Sequence, residues 1–223
     1  MFKLFYQELK ANFEEKANPE QAQQLAGYMR NQFKFYGLHI PERRKIYHDF
    51  LLREKKKKKI DWNLLNRAWE DQYREMQYFV CDYLIAMKKY LTYNDIDRIE
   101  RFVRTKQWWD TVDSLIKPIG DLGLRDARIN ELMLEWSTDS DFWVRRVAIE
   151  HQLLRKKKMN TDLLAQIIEN NLNSQEFFIN KGIGWALRDY SKTNSEWARQ
   201  FIAENYDRMA KLSITEGSKY LWQ

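Results

Sequence analysis

The hexapeptide Trp108–Asp113 places two tryptophans beside two acids, a combination suited to chemistry. On a helix, Trp109 and Asp113 are four residues apart, so an aromatic ring and a carboxylate lie on the same side. A substrate that contacts the ring is then within reach of the carboxylate. The structural alternatives are core packing of Trp109 and a surface ion pair between Asp113 and Lys117. Spacing alone leaves these alternatives open.

The other tryptophan and acid of this hexapeptide are expected to be structural. Trp108 projects about 100° away from Trp109 on a helix. It is in register with Val112 and Leu115, so we expect it in the core. Asp110 is expected near the helix N-terminus, where a carboxylate interacts favourably with the helix dipole.

A second group of residues consists of Phe178, Lys181, Trp185 and Arg188, which are three, four and three residues apart. This spacing predicts one continuous stripe on a helix. Two interpretations are open. Either Trp185 packs while the cations flank it and extend to solvent, or the stripe faces DNA, with the cations on phosphates and the ring on a sugar or base.

A third group, Phe142–Arg146, opens a predicted helix whose end carries the basic run Arg155–Lys158. Its arginines, Arg145 and Arg146, could instead pair with Glu150. The net charge of +6 and the pI near 9.2 are a mild indication of a polyanionic partner. Three basic helices that converge on one wall favour nucleic acid as that partner.

The composition predicts an all-α protein. The 7 glycines and 3 prolines are too few for the tight turns of a β-sandwich, and no segment alternates apolar and polar residues over a sustained length. Short helices with brief connections predict antiparallel neighbours, and helix pairs that recur at about 35–45 residues are typical of HEAT-like repeats. We therefore expect one domain, residues 1–223, of HEAT-like antiparallel helical repeats that form a curved α-solenoid with a concave basic face.

Capping residues and helix breakers predict where helices begin and end. Starts are predicted at Asn18-Pro19, Asp61, Asn160-Thr161-Asp162, Ser174 and Thr193-Asn194-Ser195. One helix is predicted to end at Gly37. Another is predicted to end or bend at Pro118, with Gly120 and Gly123 in the C-cap and turn that follow. A further helix is predicted over Phe142–Lys158.

Two common classes of site are not expected. The histidines are far apart, without partners at ligand spacing, so a zinc site is not expected; they are His39, His48 and His151. Gly182-Ile183-Gly184 lacks the third glycine and the preceding strand of a dinucleotide-binding motif. Met1–Lys16 mixes charged and apolar residues, unlike a signal peptide, and no window approaches the length of a membrane span.

Three segments in chain order carry a specific resemblance: WWDTVD at Trp108–Asp113, DFWVRRVAI at Asp141–Ile149 and EFFINKGIGWALRDYSKTN at Glu176–Asn194. Together they resemble the AlkD family of DNA alkylation repair glycosylases, which are built of HEAT-like repeats. The motifs NPE, YMRNQFKFYG and PERR within Asn18–Arg44 extend the resemblance to essentially the whole chain. The resemblance implies an α-solenoid whose concave face grips duplex DNA.

The resemblance also implies roles for individual residues. The catalytic aspartate of the family falls on Asp113, and its two site tryptophans fall on Trp109 and Trp185. The arginine that contacts DNA falls on Arg146, or on Arg145 if the match is displaced by one residue. Further DNA contacts are implied at Tyr28, Lys181 and Arg188.

Members of this family hydrolyse the N-glycosidic bond of cationic lesions, notably N3-methyladenine and N7-methylguanine. Alkylation at these positions gives the purine a positive charge, so it leaves as a neutral molecule and needs no general acid. One carboxylate can both stabilise an oxocarbenium-like deoxyribose and position water. The resemblance further implies recognition without base flipping. The alternative is a noncatalytic HEAT-repeat protein that binds DNA structures or protein partners.

The expected partner is double-stranded DNA with alkylated bases, bound by a monomer without a metal, a cofactor or a membrane. The single cysteine, Cys81, cannot form an intramolecular disulfide, which fits a reducing compartment. We therefore expect a cytoplasmic protein that associates with the nucleoid when it is bound to DNA.

Overall fold

The computed structural model describes the backbone of residues 2–221 and the side chains of residues 5–221. Over this range the chain forms helices and no β-strand, so the predicted all-α class is confirmed. The α-helices are α1 Phe2–Glu15, α2 Pro19–Tyr28, α3 Ile40–Lys57, α4 Trp62–Glu70, α5 Arg74–Met87, α6 Ile96–Val103, α7 Trp109–Leu122, α8 Arg128–Trp136, α9 Phe142–Glu150, α10 Thr161–Glu169, α11 Phe177–Ser191, α12 Ser195–Glu204 and α13 Lys211–Gly217. Short 3₁₀ helices lie at Lys88–Tyr90, Tyr93–Asp95, Lys156–Lys158 and Tyr206–Arg208.

Polar side chains cap most of the predicted helix starts. In each case a side-chain oxygen accepts a hydrogen bond from the backbone N–H three residues later, at 3.0–3.1 Å; the caps are Asn18, Asp61, Asn160 and Asn194. Pro19 follows its cap at the first helical position, where a missing N–H has no cost. These starts are therefore confirmed. They could be predicted from the sequence because capping depends only on residues that are close together in the chain.

Two predicted boundaries around tight turns are wrong. Helix α2 ends at Tyr28, well before Gly37, which instead lies in the following loop with a φ of +92°. A Cβ at Gly37 would lie 2.1 Å from the carbonyl oxygen of Asn18, so glycine is required there for close approach and not for a helix end. Helix α11 begins at Phe177, later than the predicted Ser174.

Two further boundaries depend on packing between helices. Helix α7 does not end at Pro118 but continues to Leu122, with the proline buried. The packing of Pro118 in the core therefore offsets the free energy lost with the one backbone hydrogen bond that proline removes. Gly120 consequently lies inside the helix, and only Gly123 is in the C-cap. Helix α9 ends at Glu150, so the predicted continuous helix over Phe142–Lys158 is wrong.

The helices form two compact units, one that ends at Leu91 and one that begins at Thr92. In the first unit, the buried carboxylate of Glu75 on α5 accepts backbone hydrogen bonds from Tyr36, Gly37 and Leu38 at 2.9–3.2 Å. These bonds hold the loop between α2 and α3 against α5. The prediction of one domain over residues 1–223 stays a prediction.

In the second unit, alternate helices stack on one another. Helix α7 packs on α9, α9 packs on α11, and α11 packs on α13, while α8 and α10 pack on each other and on α9. Pairs of this kind are typical of helical repeats, so the unit is consistent with an α-solenoid. Within the described range, no helix is both long and apolar enough to cross a membrane.

The contact between α7 and the end of α9 depends on Gly120. A Cβ at this position would lie 2.3 Å from the carbonyl oxygen of His151, so only glycine allows this approach. Arg155 donates from Nη2 to the Gly120 carbonyl at 2.7 Å on the same side of α7. The close approach places α9 directly beside the face of α7 that carries Asp113.

His151 is buried as a neutral side chain, and the fold should therefore lose stability in mild acid. Its Nδ1 faces the Ala148 carbonyl at 2.7 Å, and a carbonyl can only accept, so Nδ1 carries the proton. Burial, aided by the charge of Arg155, lowers the pKa of His151 to about 3. The unfolded chain takes up a proton below about pH 6.5, so stability should fall by about 1.4 kcal/mol per pH unit from there towards pH 3.

Urea unfolding at several pH values checks this expectation. His151→Gln should remove this part of the pH dependence, while the same change at the exposed His48 should leave it in place. Identical pH slopes for wild type and His151→Gln would rule out the buried histidine as the cause.

Candidate active site

Asp113 lies one turn into α7, behind Trp109, which is the first residue of that helix. Its side chain is 16% exposed. Arg146 of α9 binds the carboxylate at two points, from Nε to Oδ1 at 2.8 Å and from Nη2 to Oδ2 at 3.0 Å. A two-point contact of this kind fixes the plane of the carboxylate. Asp110 occupies the first turn of the same helix, as predicted.

Arg146 is only 3% exposed, and it connects three helices. Besides binding Asp113 on α7, it donates from Nη1 to the carbonyl of Phe178 on α11 at 2.7 Å. All three guanidinium nitrogens are therefore engaged within the protein. The observed role of Arg146 is to hold Asp113 in place, and its contact with DNA stays a prediction.

Arg145 is the more accessible of the two neighbouring arginines. It is half-buried and donates from Nη1 to the backbone carbonyl of Asp139 at 2.6 Å, beside the start of α9. A side chain in this position can reach solvent more easily than Arg146. Its contact with DNA also stays a prediction.

A second acid, Glu150, lies on the other side of the Arg146 guanidinium. Its Oε1 is 2.9 Å from Nη2 of Arg146, and the side chain is fully buried. Burial raises the pKa of Asp113 against the opposing hydrogen bonds from Arg146. Burial raises the pKa of Glu150 well above its ordinary value, since the charge of Arg146 only partly offsets the desolvation. One cation is thus shared between two carboxyl groups.

The two tryptophans of the cluster differ in burial, although Trp108 is not part of the helix on which its core position was predicted. Trp108 precedes the helix in an extended conformation and is 9% exposed, so its expected core position is confirmed. Its ring lies 5.9 Å from that of Trp143 and 5.3 Å from that of Phe178. Trp109 and Trp185 are both half-buried. Their joint membership of one site stays a prediction.

The predicted stripe on α11 is present as one helix, but its two cations share an acid. Lys181 Nζ lies 2.5 Å from Oε1 of Glu216 on α13, and Arg188 Nη1 lies 2.6 Å from Oε2. The hydrogen bond from Lys181 and the positive charges lower the pKa of Glu216. The Glu216 carboxylate therefore binds Lys181 and Arg188, the two cations that were predicted to bind phosphate.

Tyr28 is the remaining residue with a predicted DNA contact. Tyr28 ends α2 in the first unit and is 70% exposed; its role stays a prediction. Among the side chains that the structure describes, no group of three His, Cys, Asp or Glu residues could hold a metal ion.

Comparison with known proteins identifies the family. The family model described as DNA alkylation repair enzyme matches residues 9–221. The chain belongs to this DNA alkylation repair enzyme family. A solved structure described as a predicted DNA alkylation repair enzyme from Enterococcus faecalis is similar, with 32% sequence identity and a TM-score of 0.85. The match covers 93% of this chain and 97% of that one. The comparison with curated proteins gave no match.

The sequence of this DNA repair enzyme indicated Asp113 and Arg146, but not that they bind each other. The sequence offers Glu150 only as an alternative partner for the arginines, although its position four residues after Arg146 is a usable signal. Glu216 had no such signal, because it lies 35 residues after Lys181. Its contact with the stripe depends on how α13 packs against α11.

The arrangement gives the enzyme a carboxylate with a fixed orientation. Arg146 binds both oxygens of the Asp113 carboxylate, and the side chain remains 16% exposed. The protein interior beside it lowers the local dielectric, which strengthens an interaction between the carboxylate and a developing cation.

Proposed function

We propose that this DNA alkylation repair enzyme is a monofunctional DNA glycosylase. It hydrolyses the N-glycosidic bond of N3- and N7-alkylpurines in duplex DNA, notably N3-methyladenine and N7-methylguanine. The observation that carries the proposal is the partly exposed Asp113 carboxylate, fixed at two points by a buried arginine. The resemblance to the AlkD family and the family match support it.

Asp113 has two tasks in the proposed mechanism. A cationic purine leaves as a neutral base, so the chemistry needs no proton donor for the leaving group. As the C1′–N bond breaks, positive charge grows on the sugar, and Asp113 stabilises it while accepting a hydrogen bond from the attacking water. Arg146 acts as a positioning residue that holds the carboxylate in place.

Aromatic rings assist the same cationic sugar. The faces of Trp109 and Trp185 contribute about 0.5–2 kcal/mol each, depending on desolvation. Arg145, Lys181 and Arg188 contact the flanking phosphates. Tyr28 provides a further contact to DNA, and Arg146 is the arginine to which the family resemblance assigns a DNA contact. Recognition proceeds without flipping the base, and the enzyme acts as a monomer in the cytoplasm, where it associates with the nucleoid.

Selectivity for charged lesions tests the proposal. The experiment uses matched duplexes that carry one N7-methylguanine or one neutral hypoxanthine, and it measures released bases by chromatography. We expect release of the cationic base and little release of the neutral one, because only the cationic base leaves without protonation. Equal excision of both lesions would contradict the mechanism, and no release of either would contradict the glycosylase.

The shared acid on α13 gives a prediction about DNA affinity. Glu216→Gln removes the charge that Lys181 and Arg188 now share. Two cations then become available to phosphates, so affinity for duplex DNA should rise. The slope of log affinity against log salt concentration should steepen by up to about 1.8.

A salt titration of binding by fluorescence anisotropy measures this slope. Glu196→Gln is the matched control, since it removes the same charge from an exposed position in the first turn of α12. If both variants change the slope equally, the stripe on α11 does not contact phosphates.

A further inference from the structure

The fully buried Glu150 has no part in the mechanism described so far. It lies on α9 four residues after Arg146, and its Oε1 is 2.9 Å from the guanidinium. Neither carboxyl oxygen accepts a well-formed hydrogen bond from the residues that the structure describes. A buried carboxyl group without such bonds is costly to the fold. An apolar side chain would fill this position at a lower cost, so the acid requires an explanation.

The neighbouring helix has space for this acid at Gly182. A Cβ on Gly182 of α11 would lie 3.0 Å from Oε1 of Glu150 and 3.2 Å from Nη1 of Arg146. Both distances are shorter than ordinary van der Waals contact. The close approach of α11 to these charged groups thus depends on a residue that has no side chain.

The charges around Arg146 do not balance. One guanidinium binds two carboxyl groups, Asp113 on α7 and Glu150 on its own helix. The contacts from α11 are the Phe178 carbonyl and the backbone of Gly182. Asp110 and Lys117 on α7 act on Asp113 with opposite signs. The cluster of Asp113, Arg146 and Glu150 is therefore neutral with one proton on its carboxyl groups and carries one negative charge without it.

This difference matters for the proposed reaction. An aspartate whose charge is fully compensated by an arginine attracts a cationic sugar weakly. A second carboxylate on the same guanidinium restores a net negative charge beside the substrate. Because the two acids share one cation, a change in the charge of one carboxyl group should change the pKa of the other.

We propose that Glu150 is a positioning residue that acts through Arg146 and sets the negative charge that Asp113 presents to the cationic sugar. This inference rests on the proposed glycosylase function. When the pair holds a proton, the cluster is neutral and excision is slow. When the proton leaves, the cluster becomes negative and excision is faster.

A pH profile of Glu150→Gln tests the inference. The variant keeps the shape of the side chain but leaves the cluster neutral with Asp113 ionised. Single-turnover excision of N7-methylguanine is measured from mildly acidic to mildly alkaline pH, with spontaneous loss subtracted. We expect similar rates for both proteins at the acidic end and a gap that widens to about tenfold at the alkaline end, where the wild type has lost the shared proton. A ratio that is constant at every pH, whatever its size, would overturn the inference.

A second measurement does not depend on activity or on the Glu150 variant. Carbon NMR of the carboxyl groups in the wild-type protein should show the same two titration steps at Asp113 and Glu150. In Asp113→Asn, Glu150 should titrate in one step at lower pH, since its negative neighbour is gone. Independent single steps in the wild type would contradict the coupling.

The two proposals fail in different ways. If Asp113→Asn excises as fast as the wild type, the proposed function is wrong. If that variant is inactive while Glu150→Gln follows the wild-type profile, only the inference about Glu150 is wrong.

Discussion

Asp113→Asn should slow the release of N7-methylguanine from duplex DNA by about 10³-fold. Asparagine has nearly the same shape as aspartate but no charge to place against the developing cation. Arg146 keeps Glu150 and the Phe178 carbonyl as partners in this variant, so the fold should persist. Single-turnover kinetics measure the loss, and anisotropy with the same duplex should show that binding is largely retained.

Asp110→Asn is the matched control for this change. Asp110 lies in the first turn of the same helix, three residues before Asp113. Its replacement removes the same charge from the helix N-terminus, where such a charge typically contributes about 0.3–1 kcal/mol, so excision should stay near the wild-type rate. Equal losses in both variants would mean that total charge near α7 matters and that Asp113 has no special role.

Arg146→Met should lower the free energy of unfolding by about 3–5 kcal/mol at neutral pH. The change leaves the partly exposed Asp113 and the fully buried Glu150 without their shared cation. It also removes the hydrogen bond that ties α9 to the Phe178 carbonyl on α11. Urea denaturation at neutral pH measures the loss.

The stability of the Arg146→Met variant should also change with pH in a definite direction. Without Arg146, the folded-state pKa values of both acids rise further above their unfolded values. The folded state then holds more protons than the unfolded state, so the variant should recover stability as the pH falls towards the unfolded pKa of the acids. Arg145→Met is the control, since Arg145 is half-buried and donates to a backbone carbonyl. A loss no larger than that of the control would contradict the structural role of Arg146.

Local signals account for the features that the sequence predicted well. The caps at Asn18, Asp61 and Asn160 act over three residues, so they are readable from the chain alone. The position of Asp113 about one turn after Trp109 on the same helix follows from their spacing of four residues. The core position of Trp108 is confirmed, but helical periodicity is not its cause, because Trp108 lies just before α7 in an extended conformation.

Features that depend on packing were not readable in this way. Helix α7 passes Pro118 because its neighbours bury it. The contact between Asp113 and Arg146 joins residues 33 apart, and Glu216 reaches the α11 stripe only through the close packing of α13 at Gly184, where a Cβ would lie 2.6 Å from the Glu216 Cβ. Side-chain pairs between helices depend on how the helices pack against each other. The spacing of residues along a single sequence does not reveal this packing.

The most direct test of the central claim is to identify the bond that breaks. A duplex with one N7-methylguanine, labelled in its methyl group, is incubated with the enzyme, and released base and abasic sites are both quantified. We predict equal amounts of the two products, with the label on the released base. If the label leaves while guanine stays in the strand, the enzyme repairs alkylation by another reaction and the glycosylase proposal is wrong.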